Sequence, residues 1–145
     1  MTTADLQALA AFLPALREPG FRAGELCGGD EIEPGVFRAP FVSYAPVVDS
    51  FVETAYAHAW VLKGFDWAAW AQSAEAKALR DDETAVRSAT PEQLARLLTV
   101  CIRQDRFVDG ALMDAFDSGL IPRIVQRAAA LAGAPPSLTV DESDA

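Results

Sequence analysis

Residues 103–110 read Arg103-Gln104-Asp105-Arg106-Phe107-Val108-Asp109-Gly110 and alternate charged with apolar groups between two strongly amphipathic segments. A plain turn between helices needs only polar residues, so this stretch draws four charged side chains to a place where two helices meet. Taking charge out of water costs free energy, which pairing, hydrogen bonds to helix ends or a ligand must offset. The chain therefore has to fold as helices on either side of one charged corner.

The segments around that corner carry helical signals. Leu6, Leu9, Leu13 and Leu16 follow helical spacing and stop before Pro19-Gly20, which predicts a short N-terminal helix. Ser43 is placed to cap a helix with Pro46 in its first turn and Val47, Val48, Phe51, Val52, Ala55, Tyr56 and Ala59 on one face. Asp66 opens a segment carrying Trp67, Trp70, Ala74 and Leu79, and its first expected role is that of a cap. Thr90-Pro91-Glu92-Gln93 is a capping-box pattern, followed by Leu94, Leu97, Leu98, Cys101 and Ile102 on one face. Beyond the corner come Leu112, Met113 and Phe116, the stop Ser118-Gly119, and a last helix opened by Pro122 and ended by Gly133, Pro135 and Pro136.

Between the first two helices, Phe21 to Pro40 is rich in Gly, Glu and Asp, and Glu25-Leu26-Cys27 can pair with Val36-Phe37-Arg38. The expected fold is thus mainly α: a compact single-domain bundle of about five helices over residues 1–136, with a small β-hairpin near residues 24–38. Residues 137–145 are short and acidic and are expected to form a mobile tail.

At 145 residues the chain is long enough for one core without metal or disulfide staples. No apolar run reaches the roughly 18 residues of a membrane span, and Met1 to Leu16 lacks the basic start of a secretory signal, so a cytoplasmic protein with no membrane contact is expected. Cys27 and Cys101 are far apart without CxxC spacing and read as small buried hydrophobes. With His58 the single histidine, no metal site is expected, and no cofactor either. The formal charge of −9, from 21 acidic and 12 basic residues, argues against nucleic acid as a partner. A helix-turn-helix reading of 91–118 fails for the same reason, because Asp114 and Asp117 stand where a DNA reader needs basic groups.

No GxSxG elbow, Walker loop or dinucleotide fingerprint is present. His58 lies opposite the inward stripe of its helix and reads as a surface residue, while Trp60, past the apolar face, is the indole expected to meet solvent or a partner. The candidate site is Arg103, Asp105, Arg106 and Asp109, gathered at a helix–helix corner near Asp66 or Tyr44. It has two readings. Two guanidiniums could form a fork for an anion with an aspartate as general base. Alternatively, Arg and Asp neutralise one another and serve the helix ends, with Asp109 capping the second helix. The structural alternative is the expectation, and with it a non-enzymatic interaction or regulatory module that binds an unidentified protein partner or a second copy of itself. The alternative, a small enzyme or sensor for an anionic small molecule held by Arg103 and Arg106, leaves catalysis open.

The strings RxDRFxxGxL from Arg103 to Leu112 and AFxSGLI from Ala115 to Ile121 resemble the bacterial family designated domain of unknown function 6508. Pro40-Phe41-Val42-Ser43-Tyr44 and Phe65-Asp66-Trp67-x-x-Trp70 are similar to its earlier segments, so the likeness spans about Gly35 to Leu131. Asp109 stands where a glutamate is expected and Val108 where a cysteine is common, which weakens the idea of a catalytic carboxylate of fixed length. The resemblance implies a single helical domain whose charged turn is a family feature, and no activity.

Overall fold

The computed structural model describes residues 1–133, so the acidic segment 137–145, the boundary at 136 and the Pro135-Pro136 stop lie outside the described residues. The described chain is mainly helical. Its helices are α1 Thr3–Ala10, α2 Leu13–Leu16, α3 Pro46–Ala57, α4 Trp67–Ala71, α5 Ala74–Asp81, α6 Pro91–Gln104, α7 Ala111–Asp117 and α8 Leu120–Gly133, with a 3-10 turn at Val86–Ser88. Five of them, α1, α3, α5, α6 and α8, reach eight residues or more; the others are single turns or little longer.

Local chemistry explains most of the boundaries. Thr90 and Gln93 form the expected capping box on α6, with Gln93 N–H donating to Thr90 Oγ1 at 3.1 Å and Thr90 N–H to Gln93 Oε1 at 2.9 Å. Asp66 Oδ1 accepts from Ala69 N–H at 3.1 Å and starts α4. The segment after it is not one helix, because Ser73 Oγ accepts from Ala76 N–H and caps a new start at α5. The leucine run 6–16 is likewise divided, since Pro14 has no N–H to continue the ladder of α1. Ser43 does not cap α3; it lies in a strand, and Ala45 precedes Pro46 with no side-chain cap. The last helix begins at Leu120, ahead of Pro122.

Four short strands, β1 Gly24–Cys27, β2 Glu31–Glu33, β3 Val36–Phe37 and β4 Phe41–Tyr44, make two two-stranded antiparallel sheets, β1 with β4 and β2 with β3, that follow one another along a single ribbon. The expected pairing of 25–27 with 36–38 is replaced: β1 pairs with β4 (Leu26 opposite Val42, Cys27 opposite Phe41), and β2 pairs with β3. Register grows outward from the tight turn at Pro34-Gly35, where Gly35 has φ +79°. Glu33 then faces Val36, Glu31 faces Phe37, and Gly29 N–H donates to Arg38 O at 2.6 Å, so the ladder reaches β1 only when its partner is β4. At Gly28, φ is +80° and a Cβ would stand 2.3 Å from Ala39 O, which no side chain tolerates.

The core lies where α8 packs on α1, α2, α6, α7 and the 3-10 turn. Phe51 of α3 sits edge-on to both Phe12 and Phe116, at 5.3 and 5.5 Å between ring centroids. Trp60, expected at the surface, is fully buried. The helical spacing that put it outside ends at Ala57, and Ala59 takes φ +60°, a left-handed turn that swings the indole inward so that its N–H donates to Asp5 O at 3.0 Å.

His58, the residue that ends α3, stays part-exposed at the surface and meets Asp5 there, with Nδ1 to Oδ1 at 2.9 Å. Asp5 also accepts from the Thr2 N–H and hydroxyl, both at 3.0 Å. The Thr2 backbone bond first, then His58, hold the Asp5 carboxyl down at about 2. Because its folded value lies below its unfolded one, the stabilisation is complete above about pH 4 and is lost as pH falls toward 2. Acid titration of the folded fraction should therefore show a loss in that window that Asp5→Asn removes; a variant with an unchanged acid limb would contradict this assignment.

Candidate functional site

The corner forms as the chain leaves α6. Asp105, the residue after α6, keeps helical backbone angles, Phe107 and Val108 N–H both donate to Gln104 O at 2.9 Å, and Gly110 at φ +91° reverses the chain into α7. Gly110 also lies against the Val42 side chain, where a Cβ would approach to 3.3 Å. The loop is thus seated on the base of the ribbon.

Two carboxylates fasten it there. Asp105 Oδ1 accepts from the Tyr44 hydroxyl at 2.6 Å and from Leu112 N–H at 3.1 Å, while the Tyr44 oxygen accepts from Met113 N–H at 3.2 Å. Asp105 and Tyr44 together satisfy free amides in the first turn of α7, a helix whose own preceding residue is a glycine without a capping side chain. Asp109 does not cap α7; its Oδ2 accepts from Val42 N–H of β4 at 3.1 Å. Burial first, then the hydrogen bond to Asp105, raise the Tyr44 phenol well above its ordinary range.

The arginines are placed otherwise than the expected mutual neutralisation requires. Among the described residues no carboxylate stands within 4.0 Å of Arg103 or Arg106; the ion pairs present are Arg38–Asp30, His58–Asp5 and Arg96 with Glu75 and Glu92. The reason is geometric: the turn aims both aspartates at backbone amides and a phenol, and leaves the guanidiniums outside. Arg106 is exposed and reaches Tyr56 Oη at 3.5 Å. It lines a groove of about 500 Å³ together with Asp49, Glu53 and Asp105, so three carboxylates face one guanidinium. Arg103 lines a neighbouring groove of about 430 Å³ with Lys63, and Tyr56 borders both.

Of the predicted site residues, Asp105, Asp109 and Tyr44 are therefore brought together by direct bonds or a shared strand, and the two arginines diverge. Asp66 serves its own helix, although its neighbour Trp67 stacks on Phe107 of the loop at 6.1 Å. Val42, absent from the sequence-derived set, is the backbone partner of Asp109; only the strand pairing could have revealed it. Burial pushes the Cys101 thiol up to about 12, which keeps it protonated and unreactive at neutral pH. Among the described residues no group of three His, Cys, Asp or Glu could hold a metal ion, and no helix is long and apolar enough to cross a membrane.

Neither curated proteins nor solved structures offer a match to the chain. The loop that carries RxDRFxxGxL is fixed to the strand that carries Pro40 to Tyr44, so the strings that carry the resemblance form one physical unit. The model of a family of unknown function, DUF6508, matches residues 1–134, and the chain belongs to that family.

Proposed function

We propose that the protein is a non-enzymatic interaction module that holds a protein partner on the 24–44 ribbon and the 107–108 loop beside its base. One observation carries this reading: exposed apolar bulk is concentrated there. Phe107 is 78% exposed, Leu26 70% and Phe37 62%, with Ile32, Val36, Phe41 and Val108 also exposed. Among the described residues, Met1 and Tyr56 are the large apolar side chains similarly exposed elsewhere. Leu26 shares a ribbon face with Val42 and Tyr44, the face turned to the corner, so ribbon and loop offer adjacent surface. Phe41, opposite Cys27, lies on the other ribbon face, so the ribbon exposes apolar side chains on both faces, a concentration that is uncommon unless something covers it.

The charge beside the patch selects the partner. Glu25, Asp30, Glu31 and Glu33 flank it, with Arg38 already bonded to Asp30, which favours an apolar surface fringed by Lys or Arg. A second copy would set like carboxylates against each other, so a different protein is the better occupant. The Arg103/Arg106 anion reading draws less support, because the two guanidiniums line different grooves and Arg106 shares its groove with three acidic side chains. A general base at Asp105 is disfavoured because its Oδ1 already receives two donors. On the same reading the helices form one compact bundle in a bacterial cytoplasm, where both cysteines stay reduced.

The test compares wild-type protein, Leu26→Asp and Phe107→Asp immobilised in lysate of the source organism. The expected result is a protein retained by wild type, released by rising salt, and weakened about tenfold or more by either substitution, since both sites are exposed and the variants fold. Equal retention by all three, or a wild-type dimer in sedimentation that the substitutions dissolve, would overturn the reading.

A further inference from the structure

A second charged cavity lies away from the corner, and its composition runs against that of the whole chain. Arg123 and Arg127, one turn apart on α8, and Arg87 from the 3-10 turn line a pocket of about 180 Å³ with Val86, Gln126 and Ala130. Among the described residues no Asp or Glu lines it. Among the described residues none of the three arginines has a carboxylate within 4.0 Å, although the protein carries 21 acidic residues to 12 basic ones. Like charges one turn apart on a helix repel, and a third guanidinium facing them adds to the cost.

Their hydrogen bonding is also incomplete. Arg127 Nε donates to Ala89 O at 2.9 Å, which anchors the side chain and leaves its terminal nitrogens available. Arg123 Nη1 reaches Ser118 O only at 3.5 Å, and its Nε is buried with no acceptor. Arg87 is exposed and makes no side-chain hydrogen bond among the described residues. A buried donor without an acceptor is rare in a folded protein and signals a missing partner.

We propose that this pocket is a binding site for the phosphate group of a small molecule. A tetrahedral oxyanion presents several acceptor oxygens at once, and planar guanidinium forks answer it with paired, charge-assisted hydrogen bonds. The size of the cavity admits one phosphoryl group and leaves the remainder of its carrier outside. Three arginines against one dianion also explain why, among the described residues, no acidic side chain lines the pocket: a resident carboxylate would compete with the ligand.

The experiment is calorimetric titration of the full chain with inorganic phosphate and with glycerol phosphate, at constant ionic strength set by chloride. Wild type binds both, and Arg87→Gln weakens binding by about tenfold, the effect of losing one charge-assisted contact. Without phosphate, Arg87→Gln is as stable as wild type or slightly more so, because relief of repulsion is all it changes. Arg106→Gln binds as wild type does, which separates this site from the corner. Absence of phosphate binding by wild type, equal binding by Arg87→Gln, or the same heat with added chloride alone would overturn the proposal.

Discussion

Asp105→Ala should lower the unfolding free energy by about 3 kcal/mol, a large share of the roughly 5–15 kcal/mol that holds an ordinary domain together. Its Oδ1 is shared by the Tyr44 hydroxyl and Leu112 N–H, and these donors come from the ribbon and from α7. Removing the carboxylate leaves a part-buried amide and a part-buried phenol without acceptors, at about 1–3 kcal/mol apiece. Asp105→Asn keeps an acceptor oxygen and should lose only about 1 kcal/mol. Asp109→Ala should also lose about 1 kcal/mol or less, because its single bond to Val42 is exposed. Urea unfolding at neutral pH measures all three. Alkaline titration gives an independent readout. The Tyr44 phenol is raised in the folded state, so its contribution is complete below about pH 10 and is lost as pH rises toward its folded value. Tyr44→Phe should therefore flatten the alkaline limb.

Trp60→Ala should cost about 3–5 kcal/mol, the range for deleting a large aromatic from a core that cannot collapse around the gap. Trp60 is fully buried and ties the turn after α3 to α1 through its indole N–H. Trp60→Phe keeps most of the packing and should lose about 1–2 kcal/mol, with the hydrogen bond as the main loss. Trp67→Ala is the useful control. Trp67 is half-buried, with its ring on the exposed Phe107, and its truncation should cost about 1 kcal/mol by thermal or chemical unfolding. Comparable losses at positions 60 and 67 would contradict the placement of Trp60 in the core.

What the sequence discloses is whatever a short stretch decides alone. The Thr90–Gln93 box, the Asp66 cap and the buried face of α6 depend on neighbours three or four residues away, and helical spacing displays them. Trp60 is misplaced by that spacing because one left-handed residue, Ala59, redirects the chain after the helix ends. The ribbon register depends on where the tight turn sits, and composition does not rank Pro34-Gly35 above Gly28-Gly29. The corner itself is legible as a charged turn, with Tyr44 as its neighbour. Which charges meet is not, since Asp109 finds a strand amide 67 positions away and the arginines turn outward. The arginine pocket has no local signature at all: Arg87 and Arg123 become neighbours only through the packing of α8 on the 3-10 turn.

A double-mutant cycle of Asp105→Asn and Tyr44→Phe, read by urea unfolding, asks most directly whether the carboxylate of the charged loop is bound up in fastening ribbon to helices. Direct contact across 2.6 Å predicts a coupling of at least about 1 kcal/mol between the two substitutions. Losses that add to within about 0.3 kcal/mol would show that these side chains act independently, and would return Asp105 to the pool of groups free to serve a ligand.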